Sequence, residues 1–223
     1  MSPRHHLDPA TVLAHAAGAI APEAAAIVAI HLEACGECRR AVARAEQVGG
    51  MLLEQQHVQA ATDGPRERLR ADMLQRLERE TAAPAPIPWQ EPPVPDPDRL
   101  PAPLHPYFGT RYSGLRWRWM GPGRHFVRAR GPGGGTLLML RIAPGKRMPV
   151  HGHGGSEITQ ILRGAYQDSL GCFAAGDVAD LDADIQHQPV ILPGAPCICV
   201  AALDAPLRFP GWLARALQPA FGI

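Results

Sequence analysis

The chain has almost no net charge: its 22 lysines and arginines nearly cancel 21 aspartates and glutamates, leaving +1 over 223 residues. A balance of that kind supplies no basic field for non-specific nucleic-acid binding, so direct DNA binding is not expected and the partner should be a protein or a small molecule. Long apolar runs are missing too; none approaches the roughly 20 residues that a membrane span needs, and no membrane attachment is expected. The opening Met1-Ser-Pro-Arg-His-His places no apolar core behind a basic end. No secretory leader is expected from it, and the cytoplasm is the expected compartment. Five cysteines, an odd number unevenly spread, do not make a disulfide framework and suit a reducing environment.

Against those absences stands His31-Leu-Glu-Ala-Cys35-Gly-Glu-Cys38, an H-x3-C-x2-C spacing typical of metal ligands. On a continuous helix, offsets of four and seven residues fall within a sector of roughly 60°, so the three side chains can converge on one ion. Alternatively Gly36 ends one helix and the next begins at the second thiolate. Three ligands leave a structural zinc site one short of its usual four or so. His5 or His6 is expected to complete it, with His15 a weaker choice. A thioredoxin-like redox motif would follow a strand, whereas the flanks here are helical in composition.

A length of 223 residues, 46% hydrophobic and 19% charged, fits two small globular domains. Residues 1–83 read as helices. Asp8 before Pro9 forms an N-cap with proline in the first turn, and Gly18 ends that segment. A second helix is expected from Pro22 and a third from Gly36, with Gly49-Gly50 a weak point. A fourth begins at Pro65, carrying Leu69, Met73 and Leu77 at i, i+4 and i+8 with arginines largely on the other faces. So small a helical set buries little core, and a metal or a partner is expected to hold it. The fourth helix either folds back on the others or docks into a partner's groove.

Ten prolines between Pro84 and Pro106 read as an extended linker over residues 84–106. Residues 107–223 then change character. Leu115 to Met120, His125 to Arg130, Thr136 to Ile142, Ile158 to Tyr166, Val190 to Leu192, Ile198 to Ala202 and Leu207 to Phe209 are short apolar runs broken by glycine and proline. Such spacing predicts an all-β antiparallel barrel or jelly roll. The fold class is therefore α+β in separate domains.

Within the β-domain lies Gly145-x5-His151-x-His153-x3-Glu157-x6-Gly164, with His187 further along. His151 and His153 are two apart and share one side of an extended segment, from which Glu157 can reach the same cavity. Imidazoles with a carboxylate suit Zn²⁺, Fe²⁺, Mn²⁺ or Ni²⁺, and His187 is the expected fourth ligand. These spaced residues resemble the first motif of the cupin superfamily at every defined position. Of the second motif only the ends, Gly176 and His187, are kept.

The combination resembles the ChrR-type zinc-binding anti-sigma factors along nearly the whole chain. The marks are His6 ahead of His31, Cys35, Cys38 and Arg39, the segment Val48-Gly-Gly-Met51, the cupin ligands, and Cys197-Ile-Cys199-Val-Ala-Ala-Leu-Asp-Ala-Pro-Leu-Arg-Phe209. This resemblance implies zinc on His6, His31, Cys35 and Cys38, and zinc or another divalent metal on His151, His153, Glu157 and His187. It further implies a regulator, not an enzyme: the helical domain binds one extracytoplasmic-function sigma factor and keeps it from RNA polymerase, and the cupin domain is needed for release under singlet-oxygen-type stress. On the ligand set alone, a cupin oxygenase or isomerase with an accessory zinc module is the alternative. Cys197 and Cys199, alternating with Ile198, share one strand face and are either redox-active or ordinary core thiols. Cys172 carries no comparable signal.

Overall fold

A computed structural model describes residues 2–56, 63–79 and 96–210. The chain divides into two compact units, one formed by the residues up to Gly49 together with those from Pro97 onward, the other by Gly50–Asp96. The first unit contains α1 (Pro9–Ala16), α2 (Pro22–Ala34) and most of α3 (Gly36–Glu54). The second contains the last turns of α3 and α4 (Asp63–Arg79).

Helix boundaries follow local chemistry. Asp8 caps α1 by accepting the Ala10 N–H at 2.7 Å, and Pro9 occupies the first turn, where its missing N–H costs nothing. The α2–α3 break falls at Cys35, whose backbone is extended (φ −107°, ψ 104°). Its sulfur lies 3.4 Å from the Cys38 N–H, where an N-cap acceptor would sit on α3. The helix is interrupted, but not as expected: Cys35 is the break, and Gly36 opens α3 instead of ending α2, so the new helix begins two residues before Cys38. Gly49-Gly50 does not stop α3, which continues to Glu54.

The β-part holds twelve strands among the described residues: β1 (Arg118–Gly121), β2 (Arg124–Arg130), β3 (Thr136–Ile142), β4 (His151–His153), β5 (Glu157–Arg163), β6 (Ala165–Asp168), β7 (Gly171–Ala174), β8 (Val178–Leu181), β9 (Gln186–His187), β10 (Val190–Ile191), β11 (Cys197–Leu203) and β12 (Leu207–Arg208). Six form a sheet in the order β1-β2-β3-β11-β5-β8, and two three-stranded sheets, β10-β6-β7 and β12-β4-β9, complete the set. Every strand pairing is antiparallel. Seven runs were expected; the others are two to four residues long, too short to show a period. Gly164, at φ +69°, breaks the expected Ile158–Tyr166 run into β5 and β6.

Within the large sheet β11 is buried on both faces, which explains why it reads as a continuous apolar run. Ile198, Val200 and Ala202 join Leu137, Met139 and Ile158 in one core cluster with Ile27, Val28 and Ile30 of α2. Cys197 and Cys199 project to the opposite face, into a second cluster with Ile142, Ile161, Tyr166 and Ile191. Helices and barrel thus share a core inside one unit. Glu23 of α2 reinforces the contact: it is buried, and its Oε1 accepts the Gly133 N–H at 3.2 Å in the β2–β3 turn.

Residues 84–95 of the expected linker lie outside the described residues. From Asp98 the chain is packed: Leu100 and Leu104 join the shared core, and Asp98 accepts the Ser113 hydroxyl at 2.6 Å and the Ser113 N–H at 2.9 Å.

Candidate metal centres

Two groups of four side chains, His6, His31, Cys35 and Cys38 in one and His151, His153, Glu157 and His187 in the other, each bring their ligand atoms within 4.8 Å of one another. These are the eight residues named from sequence, in the two expected sets.

In the first group His31, on the last turn of α2, is fully buried, as are Cys35 and Cys38. The Nδ1–H of His31 donates to the Gly176 carbonyl at 3.2 Å, which leaves Nε2 with its lone pair, buried and without a hydrogen-bond partner among the described residues. Burial lowers the His31 pKa and the Gly176 carbonyl only partly opposes it, so the ring is neutral at pH 7. Nδ1 of His6 lies 3.2 Å from Cys35 Sγ and 3.7 Å from Cys38 Sγ, while its Nε2 faces Glu37 Oε2 at 3.2 Å. Burial pushes the Cys38 thiol up to about 11, against the lowering effect of the Leu7 N–H. Two sulfurs and two imidazoles converging in this way fit tetrahedral zinc, whose charge would keep both sulfurs ionised in so dry a place.

His5 is not in the group. Its Nε2 donates to the Cys172 carbonyl at 3.0 Å, and its ring stacks on Phe173 with centroids 3.8 Å apart. Nor is His15, which sits on α1 outside the cluster.

The second group lies inside the barrel. His151 and His153 share one side of β4, and His151 pairs directly with His187 across to β9. Nδ1 of His151 donates to the Pro149 carbonyl at 2.9 Å, and Nδ1 of His187 to Asp168 Oδ2 at 2.9 Å. Their Nε2 atoms therefore confront each other, lone pair to lone pair, at 3.2 Å. Glu157 Oε2 lies 3.0 Å from His153 Nδ1 without hydrogen-bond alignment, and its Oε1 accepts the Thr159 hydroxyl at 2.9 Å. Burial raises the Glu157 pKa, but the two imidazoles and the Thr159 hydroxyl outweigh it and bring the carboxyl below its usual value. Opposed lone pairs beside an ionised carboxylate suit a bound cation. The adjoining cavity, walled by Leu140, Tyr166, Cys197 and Cys199, measures about 50 Å³. That is room for one or two waters.

Residues 108–205 match the family described as the ChrR cupin-like domain. The anti-sigma-E factor ChrR of Cereibacter sphaeroides is 39% identical over 225 residues, an alignment covering 100% of both chains. The chain belongs to the ChrR family of anti-sigma factors. The crystal structure of Rhodobacter sphaeroides SigE in complex with the anti-sigma ChrR also matches, with a TM-score of 0.73, 34% identity, and coverage of 91% of this chain and 100% of that one.

Seen as a ChrR-family protein, the chain has further residues at its sites whose role there the sequence did not single out. Asp168, Thr159, Glu37 and the Gly176 carbonyl all hydrogen-bond or pair with a member of one cluster. Outer partners of this kind fix the tautomer and aim of a ligand. Thr159 lies two residues from Glu157 and Glu37 next to Cys38, whereas Asp168 and Gly176 act across the fold, where local sequence carries no signal of the role. In the second unit α4 presents Leu69, Met73 and Leu77 at 63%, 57% and 62% exposure, and the end of α3 likewise exposes Met51, Leu52 and Leu53. Among the described residues no helix is long and apolar enough to cross a membrane.

Proposed function

We propose that this protein binds one extracytoplasmic-function sigma factor in the cytoplasm and withholds it from RNA polymerase. Zinc on His6, His31, Cys35 and Cys38 holds the helical part in shape, and a divalent metal on His151, His153, Glu157 and His187 belongs to the half that responds to oxidant. The observation that carries the reading is the unburied apolar stripe Leu69, Met73 and Leu77, in a family whose relative ChrR has been solved in complex with SigE. Such a stripe on an amphipathic helix is the kind of surface that enters a partner's groove. Zinc is the reading for the first site because thiolates with imidazoles select it, and a closed four-ligand site is structural. For the barrel, a small cavity beside the ligands favours a sensing role over turnover of a substrate.

The experiment is co-purification of the full chain with its cognate sigma factor. Leu69→Asp combined with Met73→Asp places two charges on the stripe and should cost at least tenfold in affinity while leaving both metals bound. Unchanged affinity in that variant would overturn the assignment of the surface. Failure of the parent chain to hold any extracytoplasmic-function sigma factor would overturn the function.

A further inference from the structure

His6 and His31 reach the thiolates from very different supports. His31 is carried by α2, but His6 lies in the irregular segment ahead of α1, where a side chain held only by its own chain would pay the full ordering cost on binding metal. A single turn of the barrel, between β7 and β8, holds both. Asp177 Oδ1 accepts the backbone N–H of Arg4 at 2.6 Å and of His5 at 3.1 Å, fixing the two residues ahead of His6. The carbonyl of the adjoining Gly176 accepts His31 Nδ1–H at 3.2 Å.

The turn is itself rigidly built. Asp177 Oδ2 accepts the Ala174 N–H at 2.8 Å, the Gly176 N–H donates to the Ile161 carbonyl at 3.0 Å, and the Ile161 N–H donates to the Asp177 carbonyl at 3.0 Å. Gly176 sits at φ +99°, a conformation glycine adopts without strain. Ile161 belongs to β5, the strand that opens with Glu157. One continuous strand therefore runs from the barrel cluster to the turn that grips the N-terminal cluster.

We infer that Gly176 and Asp177 are the outer shell of the N-terminal metal site, supplied by the cupin domain, and that they set how long that site keeps its metal. The inference rests on the ligand reading above and deepens it. Asp177 is a positioning residue: it touches no ligand atom and works by fixing the segment that delivers His6. Metal retention in the helical part is thereby tied to the state of the barrel, through β5.

The test is made on the full chain loaded with Co²⁺, whose thiolate-to-cobalt charge-transfer absorption reports the cysteine site and not the histidine–glutamate site. Decay of that band in excess EDTA gives the release rate. Asp177→Ala should release cobalt roughly 10- to 100-fold faster than the parent, and Asp177→Asn, which keeps one acceptor oxygen, should fall between them. Arg4→Pro deletes the strongest donor to Asp177 while leaving every barrel residue in place, and should also accelerate release. Rates within twofold of the parent for both Asp177→Ala and Arg4→Pro would overturn the outer-shell assignment alone. Absence of the thiolate band in the parent chain would overturn the ligand reading and the inference with it.

Discussion

His187 Nδ1 donates to Asp168 Oδ2 at 2.9 Å, with the Asp168 side chain fully buried behind it. That bond fixes the tautomer in which Nε2 keeps its lone pair and faces His151. Asp168→Asn removes the charge that makes the imidazole a strong donor to metal. It should weaken metal binding in the barrel by about 10- to 100-fold, measured by metal titration of the full chain, while the thiolate site still binds its metal. Equal barrel affinity in the variant would mean that His187 is oriented by packing alone.

Cys38 sits in a site whose burial discourages an unpaired thiolate. Cys38→Ser should remove the N-terminal metal and, with it, affinity for the sigma factor. Cobalt absorption and co-purification on the same sample check both halves. A variant that loses cobalt yet binds the sigma factor as the parent does would separate the metal from the docking surface.

Glu157 lies in the other cluster, where His151, His153 and His187 have their rings 4.5–5.5 Å apart. Glu157→Ala is expected to leave sigma-factor affinity within about twofold and to blunt release on exposure to singlet oxygen. Release is read as the fraction of complex remaining after a fixed dose. Should the variant complex dissociate as fast as the parent, the barrel metal has no part in sensing.

Ile27 of α2 is completely buried in the core that helices and sheet share. Ile27→Ala creates a cavity at a contact between the two parts and should cost about 2–5 kcal/mol. Urea unfolding followed by tryptophan fluorescence and by far-ultraviolet dichroism checks it. Because the core is continuous, both probes should shift together; a shift confined to the helical signal would show that the sheet does not depend on α2.

Asp98 gives a pH signature. The Ser113 hydroxyl first, then the Ser113 N–H and Arg111, outweigh desolvation and hold its carboxyl below the usual value. A carboxyl depressed in the folded state adds stability that is present above the unfolded pKa, near 3.9, and is lost as pH falls through the folded pKa. The stability gap between the parent and Asp98→Asn should therefore be constant from pH 7 to about 5 and narrow progressively as pH falls below about 4. A gap that does not narrow at all as pH falls below about 4 would assign it to lost packing.

The sequence carried the two clusters because residues that could hold a metal are marked by type and short spacing. His151 and His153 are two apart and His31, Cys35 and Cys38 lie within eight residues, so local geometry nearly settles them. The choice between His5 and His6 was open because neighbours on an irregular segment differ only in what they meet, and Cys172 and Phe173 are distant in the chain. The barrel was legible from its apolar runs, yet β7 and β8 were not, being short and set among glycines and aspartates. The shared core was invisible for another reason. Ile27 and Val200 each read as the inside of their own domain, and nothing in a hydrophobic residue says which surface it covers.

That shared core constrains how such proteins can be recombined. α2 presents Ile27, Val28 and Ile30 to Ile198, Val200 and Ala202, and Glu23 seats in the β2–β3 turn so closely that a side chain at Gly135 would collide with its carboxylate. A chimaera joining the first fifty residues of one relative to the barrel of another would thus bring together two surfaces that were never fitted. Transplanting a barrel to change what is sensed requires carrying the inward side of α2 along with it, so the natural cut for swapping is across the helix, by face, and not at the proline-rich stretch.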